Sequence, residues 1–205
     1  MVSPMTSRLF VALEIPDDII EQLVEFREEI YGKDDIARWE PVEKLHITLK
    51  FIGDINDSLI PEIEQKLKLI AENNDPLDLE FKKFGLFYRD NKPSILWAGL
   101  RQDDNLIGLV NQIEDSLSIL GLKKEKRKFK PHLTLLRVRG RENYEKLEEF
   151  KQYIIDDLDF EAGKITLFKS ELKRGGSVYT AIKSFELQAW RNNVFRKGCK
   201  IKNIR

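Results

Sequence analysis

The chain holds two histidines, His46 and His132, and each stands two positions before a threonine, Thr48 or Thr134. With only five threonines among 205 residues, composition alone makes this double coincidence roughly a one-in-a-thousand event. Imidazole has an ordinary pKa of about 6.5, so a pair of them can supply an acid and a base together near neutrality, one ring protonated and the other neutral. Phosphodiester chemistry uses such a pair. A base takes the proton of the attacking water or hydroxyl, and an acid protonates the oxygen that departs on the far side of phosphorus. Neighbouring hydroxyls can donate to the non-bridging oxygens, where charge accumulates. Rival chemistries are poorly supplied. Two imidazoles 86 residues apart, with no His-Glu-x-x-His helix and a single cysteine, Cys199, do not have the spacing of a zinc site. There is no Gly-x-Ser-x-Gly elbow and no glycine-rich phosphate loop, and Gly175-Gly176 reads as a turn.

Positioning these side chains requires strands. The segments Leu45-His-Ile-Thr-Leu-Lys-Phe51 and Pro131-His-Leu-Thr-Leu-Leu-Arg137 echo one another, so the chain reads as two related halves. Strand alternation turns Leu45, Ile47, Leu49 and Phe51 to the core and His46, Thr48 and Lys50 to the opposite face. His132 and Thr134 repeat the arrangement while Leu133 and Leu135 go inward. Two such strands facing each other predict a polar cleft floored by two His and two Thr. Arg137 has the wrong parity for that cleft and reaches it only if its strand twists or bulges. Phe51, Phe129 and Tyr179 lie near the motifs, where an aromatic ring could stack a base or join the core.

The remaining pattern predicts strands over 8–15, 77–87, 94–100, 160–170 and 176–185, and helices over 17–31, 58–72, 104–120 and 143–154. Asp17 or Asp18 is the expected cap of the first helix, with Glu21 in capping-box spacing, and Asp57 or Ser58 that of the second. Lys and Arg total 35 and Asp and Glu total 35, so net charge gives no general argument for a nucleic-acid partner. Local charge does. Lys123 to Arg141 holds nine Lys/Arg against one Glu, whereas Glu14 to Asp35 holds nine acids against two bases. A basic rim beside His132 would attract polyanions. The lone cysteine and the lack of a leader or apolar span predict a cytoplasmic chain with no membrane partner. Residues 1–185 are expected to form one domain, with 186–205 as a basic extension whose Arg191, Arg196 and Lys197 act as a solubilising tail or an RNA-contacting arm.

The two His-x-Thr-Leu segments, together with Arg8-Leu-Phe-Val-Ala-Leu13, Ala37-Arg-Trp-Glu-Pro41, Phe129-Lys-Pro131 and Val178-Tyr-Thr180, resemble the 2H phosphoesterase superfamily, and within it the RNA 2′,3′-cyclic phosphodiesterases, also known as 2′-5′ RNA ligases. The resemblance spans about residues 8–185. It implies a bilobal α+β fold in which two pseudosymmetric lobes, each an antiparallel sheet backed by helices, enclose the cleft. It also implies metal- and cofactor-free opening of a cyclic phosphate on RNA ends or cyclic nucleotides to a 2′-phosphomonoester. The chain is expected to be a monomer. His46 and His132 would be acid and base, Thr48 and Thr134 phosphate ligands, and Arg137 a further phosphate contact. Leu136, where a smaller residue is expected, would narrow that end of the cleft. Two other functions stay open: the same chemistry on a small nucleotide or 2′-5′ oligonucleotide, and nucleotide binding without catalysis, to which a matched acid and base would be useless.

Overall fold

The computed structural model describes residues 5–32, 37–174 and 176–188. The chain runs β1 (Thr6–Leu13), α1 (Asp17–Tyr31), β2 (Ile47–Asn56), α2 (Ile60–Glu72), β3 (Leu77–Arg89), β4 (Lys92–Leu100), α3 (Asp104–Ser118), β5 (His132–Arg137), α4 (Tyr144–Glu149), β6 (Ile154–Ala162), β7 (Lys164–Lys173) and β8 (Gly176–Glu186). This is an α+β fold with a single antiparallel sheet in the order β6-β3-β4-β5-β2-β1-β7-β8. The two His-x-Thr strands are neighbours at its centre. They are joined there by one register pair, Ile47 with Leu133, while the strands on either side pair along most of their length.

Helices cover the sheet crosswise. α1 follows β1 in sequence, yet its last residue, Tyr31, packs edge-on to Trp39, and its hydroxyl accepts from the Asn143 backbone N–H at the start of α4. α3 follows β4 but places Glu114 against Lys50 of β2, while its Gln112 bonds Asn74 just after α2. Each half of the sheet is thus covered by a helix that the chain supplies while building the other half. Leu23, Ile63, Leu67, Leu109 and Ile113 are fully buried in the core these helices seal.

Several boundaries differ from the sequence expectation. The strand expected over 160–170 is two strands meeting at Gly163, and the helix expected over 143–154 gives way at Phe150 to one 3-10 turn. Asp157 at φ 54° interrupts the alternation of β6, which hid that strand's period. β3 and β4 join through Asp90 and Asn91 at φ 50° and 60°, the pair of positive φ values of a two-residue type I′ hairpin. α1 has no side-chain cap, since Pro16 occupies that position, and it is Asn56, not Asp57 or Ser58, whose side chain accepts from the Ser58 N–H ahead of α2. Glu186 to Gln188 belong to the fold: Leu187 is buried and the Gln188 N–H donates to the Ala71 carbonyl. The rest of the proposed extension lies outside the described residues. Among the described residues no helix is long and apolar enough to cross a membrane.

Candidate active site

Pairing of Ile47 with Leu133 determines how the two motifs meet. In an antiparallel pair the residue after one partner faces the residue before the other, so Thr48 lies across from His132 and His46 across from Thr134. The imidazoles therefore occupy opposite corners of the arrangement, with the two hydroxyls at the others.

A bulge then breaks the alternation at the same place in both motifs. Val11 pairs with Lys50 and Ala12 with Thr48, leaving Leu49 unpaired, and Leu96 pairs with Leu136 and Trp97 with Thr134, leaving Leu135 unpaired. One extra residue reverses the parity of everything beyond it. Arg137 is thereby brought to the cleft face, where it lines the cavity. Three expectations are corrected by the same device. Phe51 does not enter the core but stands 71% exposed at the cleft, in the position that Arg137 holds in the other motif. Lys50 turns away from the cleft and is buried against Glu114. Leu136 is fully buried in the core and does not narrow the cleft.

A cavity of about 260 Å³ lies over this floor and is lined by His46, Thr48, His132, Thr134, Arg137 and Tyr179. Phe129 does not line it; that ring is half-buried and packs against the core. The cavity also takes in Phe10, Lys44, Glu40 and Phe51, which sequence reasoning left out or turned inward. Phe10 was open to discovery, because Leu9, Val11 and Leu13 commit one face of β1 to the core and so turn Phe10 to the other.

Both imidazoles are held from behind by the chain just before them. His132 donates from Nδ1 to the Lys130 carbonyl at 2.7 Å, and His46 makes a corresponding bond to the backbone of Lys44. With Nδ1 engaged, the remaining nitrogen of His132 is the one available for proton transfer. Aromatic side chains wall each ring. His46 stacks on Phe10 at 5.1 Å and meets Tyr179 edge-on, while His132 lies edge-on to Phe87 at 5.0 Å and to Trp97 at 6.3 Å. Gly85 and Gly99 make room for the Trp97 indole, because a Cβ at either position would lie 2.2 or 2.5 Å from its ring atoms. Burial, aided by the Arg137 charge, pushes His46 down to about 4; burial first and Arg137 to a lesser degree also lower His132. Arg137 itself is ion-paired through Nε with Glu40 at 3.2 Å. The Glu40 N–H in turn donates to the carbonyl of the bulged Leu135 at 2.8 Å, so the Trp39-Glu40 segment clamps the bulge it faces.

The family model for LigT-like phosphoesterases matches residues 13–97 and 100–179, nearly the whole described chain. The chain belongs to the LigT-like phosphoesterase family. A relative from Methanocaldococcus jannaschii, named RNA 2′,3′-cyclic phosphodiesterase, is 36% identical over 87% of this chain and 99% of its own length. Another of that name, from Archaeoglobus fulgidus, is 31% identical with the same coverage of both chains. The crystal structure of E. coli LigT in apo form superposes on this phosphoesterase with a TM-score of 0.71 at 25% identity, covering 89% of this chain and 98% of that one. The single central sheet and its helices are therefore the LigT-like architecture. The Lys50-Glu114 pair behind Thr48 and the Glu40-Arg137 pair inside the cavity are features of this family member that neither period nor motif announced.

Proposed function

We propose that this protein hydrolyses the 2′,3′-cyclic phosphate at the end of an RNA to a 2′-phosphomonoester, as a monomer and without a metal ion, using His46 and His132 as general acid and base. The observation that carries the reading is the diagonal placement of two imidazoles and two hydroxyls over one cavity. A cyclic phosphate seated between Thr48 and Thr134 receives hydrogen bonds at its non-bridging oxygens, and Arg137 offsets its charge. His132 takes a proton from water as the water oxygen bonds to phosphorus. The bond from phosphorus to the ribose 3′ oxygen breaks in line, and His46 gives its proton to that oxygen. Tyr179 closes the cavity beside His46. Replacing water with the 5′-hydroxyl of a second RNA would join the two through a 2′-5′ linkage by the same proton transfers. A cavity of about 260 Å³ has the size for a single nucleotide end, which makes cyclic mononucleotides substrates as well.

The test is a panel of 2′,3′-cyclic nucleotides and cyclic-phosphate-ended RNA incubated in EDTA, with products resolved by position of the phosphate. The expected product is the 2′-phosphate; a 3′-phosphate, or no turnover until a metal is added, overturns the reading. A substrate with sulfur for the 3′ bridging oxygen hardly needs the acid. Activity on it should return in His46→Ala, and its return in His132→Ala instead would exchange the two roles.

A further inference from the structure

Phosphate-handling cavities are expected to be lined by cations and hydroxyls, yet this one contains a carboxylate. The Glu40 side chain is only 17% exposed, lines the same cavity as both histidines and is paired with Arg137. Its position is imposed by the backbone. The Glu40 N–H is bonded to Leu135, its carbonyl accepts from Arg27 Nη1 at 3.3 Å, and Pro41 follows it. The backbone of Glu40 is thus fixed by the clamp on β5, and its carboxylate is held over the cavity by the pairing with Arg137. An anion entering the cavity therefore meets Arg137 and Glu40 together; Lys44 and Arg8 are the further cations on the lining, Arg8 being already ion-paired with Asp54.

We infer that Glu40 is a specificity-determining residue that makes the cavity favour a singly charged phosphodiester over a doubly charged phosphomonoester. The inference rests on the proposed reaction and adds to it. The cyclic diester carries one negative charge, whereas a phosphomonoester carries about −1.5 to −2 at pH 7. Arg137 alone would hold the more highly charged product better than the substrate, and the enzyme would be inhibited by what it makes. A fixed carboxylate in the same cavity repels each anion in proportion to its charge, so it penalises the product more.

The experiment compares wild type, Glu40→Gln and Glu40→Asp for KM on adenosine 2′,3′-cyclic phosphate and for inhibition by adenosine 2′-monophosphate and by inorganic phosphate. In Glu40→Gln the Ki of the monophosphate should fall about tenfold, with a smaller change in KM, and progress curves should bend earlier. Glu40→Asp restores the charge and should return the ratio of Ki to KM toward wild type. If Ki and KM move by the same factor, or if Glu40→Asp behaves like Glu40→Gln, Glu40 only positions Arg137 and the inference is wrong. Direct calorimetric binding of the monophosphate and inorganic phosphate to wild type and Glu40→Gln needs no turnover. Failure of the reaction itself would therefore appear as absent cleavage by the wild type, and failure of the inference as unchanged anion affinity in the variant.

Discussion

At the scale of single residues, the histidines combine two opposing demands. Catalysis by an acid and a base requires one ring to be protonated, while stacking on Phe10 and enclosure by Phe87 and Trp97 favour the neutral form of both. A bound phosphodiester supplies the missing negative charge and raises the pKa of whichever ring it touches. The profile of kcat/KM reports the free enzyme, where His46 sits at about 4 and His132 below its ordinary value. It should therefore be a bell lying on the acid side of the usual imidazole range and falling as pH rises through 6.5 and above, its two apparent values belonging to the pair. A monotonic rise to pH 9 would argue for a different base. His46→Ala and His132→Ala should each lower turnover by about two to four orders of magnitude. The same depression has a stability consequence. Between about 4 and 6.5 the unfolded chain binds a proton at His46 that the folded chain refuses, so stability falls as pH falls through that window. Melting temperature measured across it should be less pH-dependent in His46→Asn.

At the scale of elements, the Lys50-Glu114 pair is the tie between β2, α3 and the basic segment. Lys50 Nζ donates to Glu114 at 2.5 Å and to the Lys123 carbonyl at 2.8 Å, and Glu114 also accepts from the Glu125 N–H. Both side chains are nearly excluded from water. Removing one partner strands a buried charge, so Lys50→Met should cost about 3–5 kcal/mol, whereas Lys50→Met with Glu114→Leu should recover most of that loss. Urea titration of the two singles and the double completes the cycle; a single variant within about 1 kcal/mol of wild type would mean the pair is more solvated than its geometry indicates. One edge of the sheet carries its own protection. Asp156, Asp157 and Asp159 on edge strand β6 discourage pairing with another chain.

For the whole molecule, zero net charge conceals a division of labour. The acids of α1 cover one region, while Lys123 to Arg141 brackets β5 and thus His132. Lys124 and Arg127 are partly neutralised by Asp115 and Glu125, and Lys126 and Lys128 stand exposed. If this rim holds the RNA strand leading to the cyclic end, binding of RNA should weaken with salt at a slope of about −0.7 per phosphate engaged, and binding of a cyclic mononucleotide should weaken much less. Equal slopes in titrations of the two ligands would exclude the rim from binding.

The residues proposed to do the chemistry were legible because their evidence is local. His46, Thr48, His132 and Thr134 share a face by the two-residue period of a strand, and the aliphatic residues between them say which face is core. That period carries through each strand only until a partner imposes a bulge. The bulges at Leu49 and Leu135 belong to strand pairs, not to single strands, so Lys50, Phe51 and Leu136 were assigned to the wrong face and Arg137 was left undecided. The helices show the same limit. The stripes of α1 and α3 mark what they bury, but nothing in a helical period says that each crosses to the other half of the sheet. Depressed histidine pKa values, the carboxylate in the cavity and the orientation of Arg137 all depend on groups brought together from distant parts of the chain. They arise from desolvation and charge at contact distance, which exist only once the chain has packed.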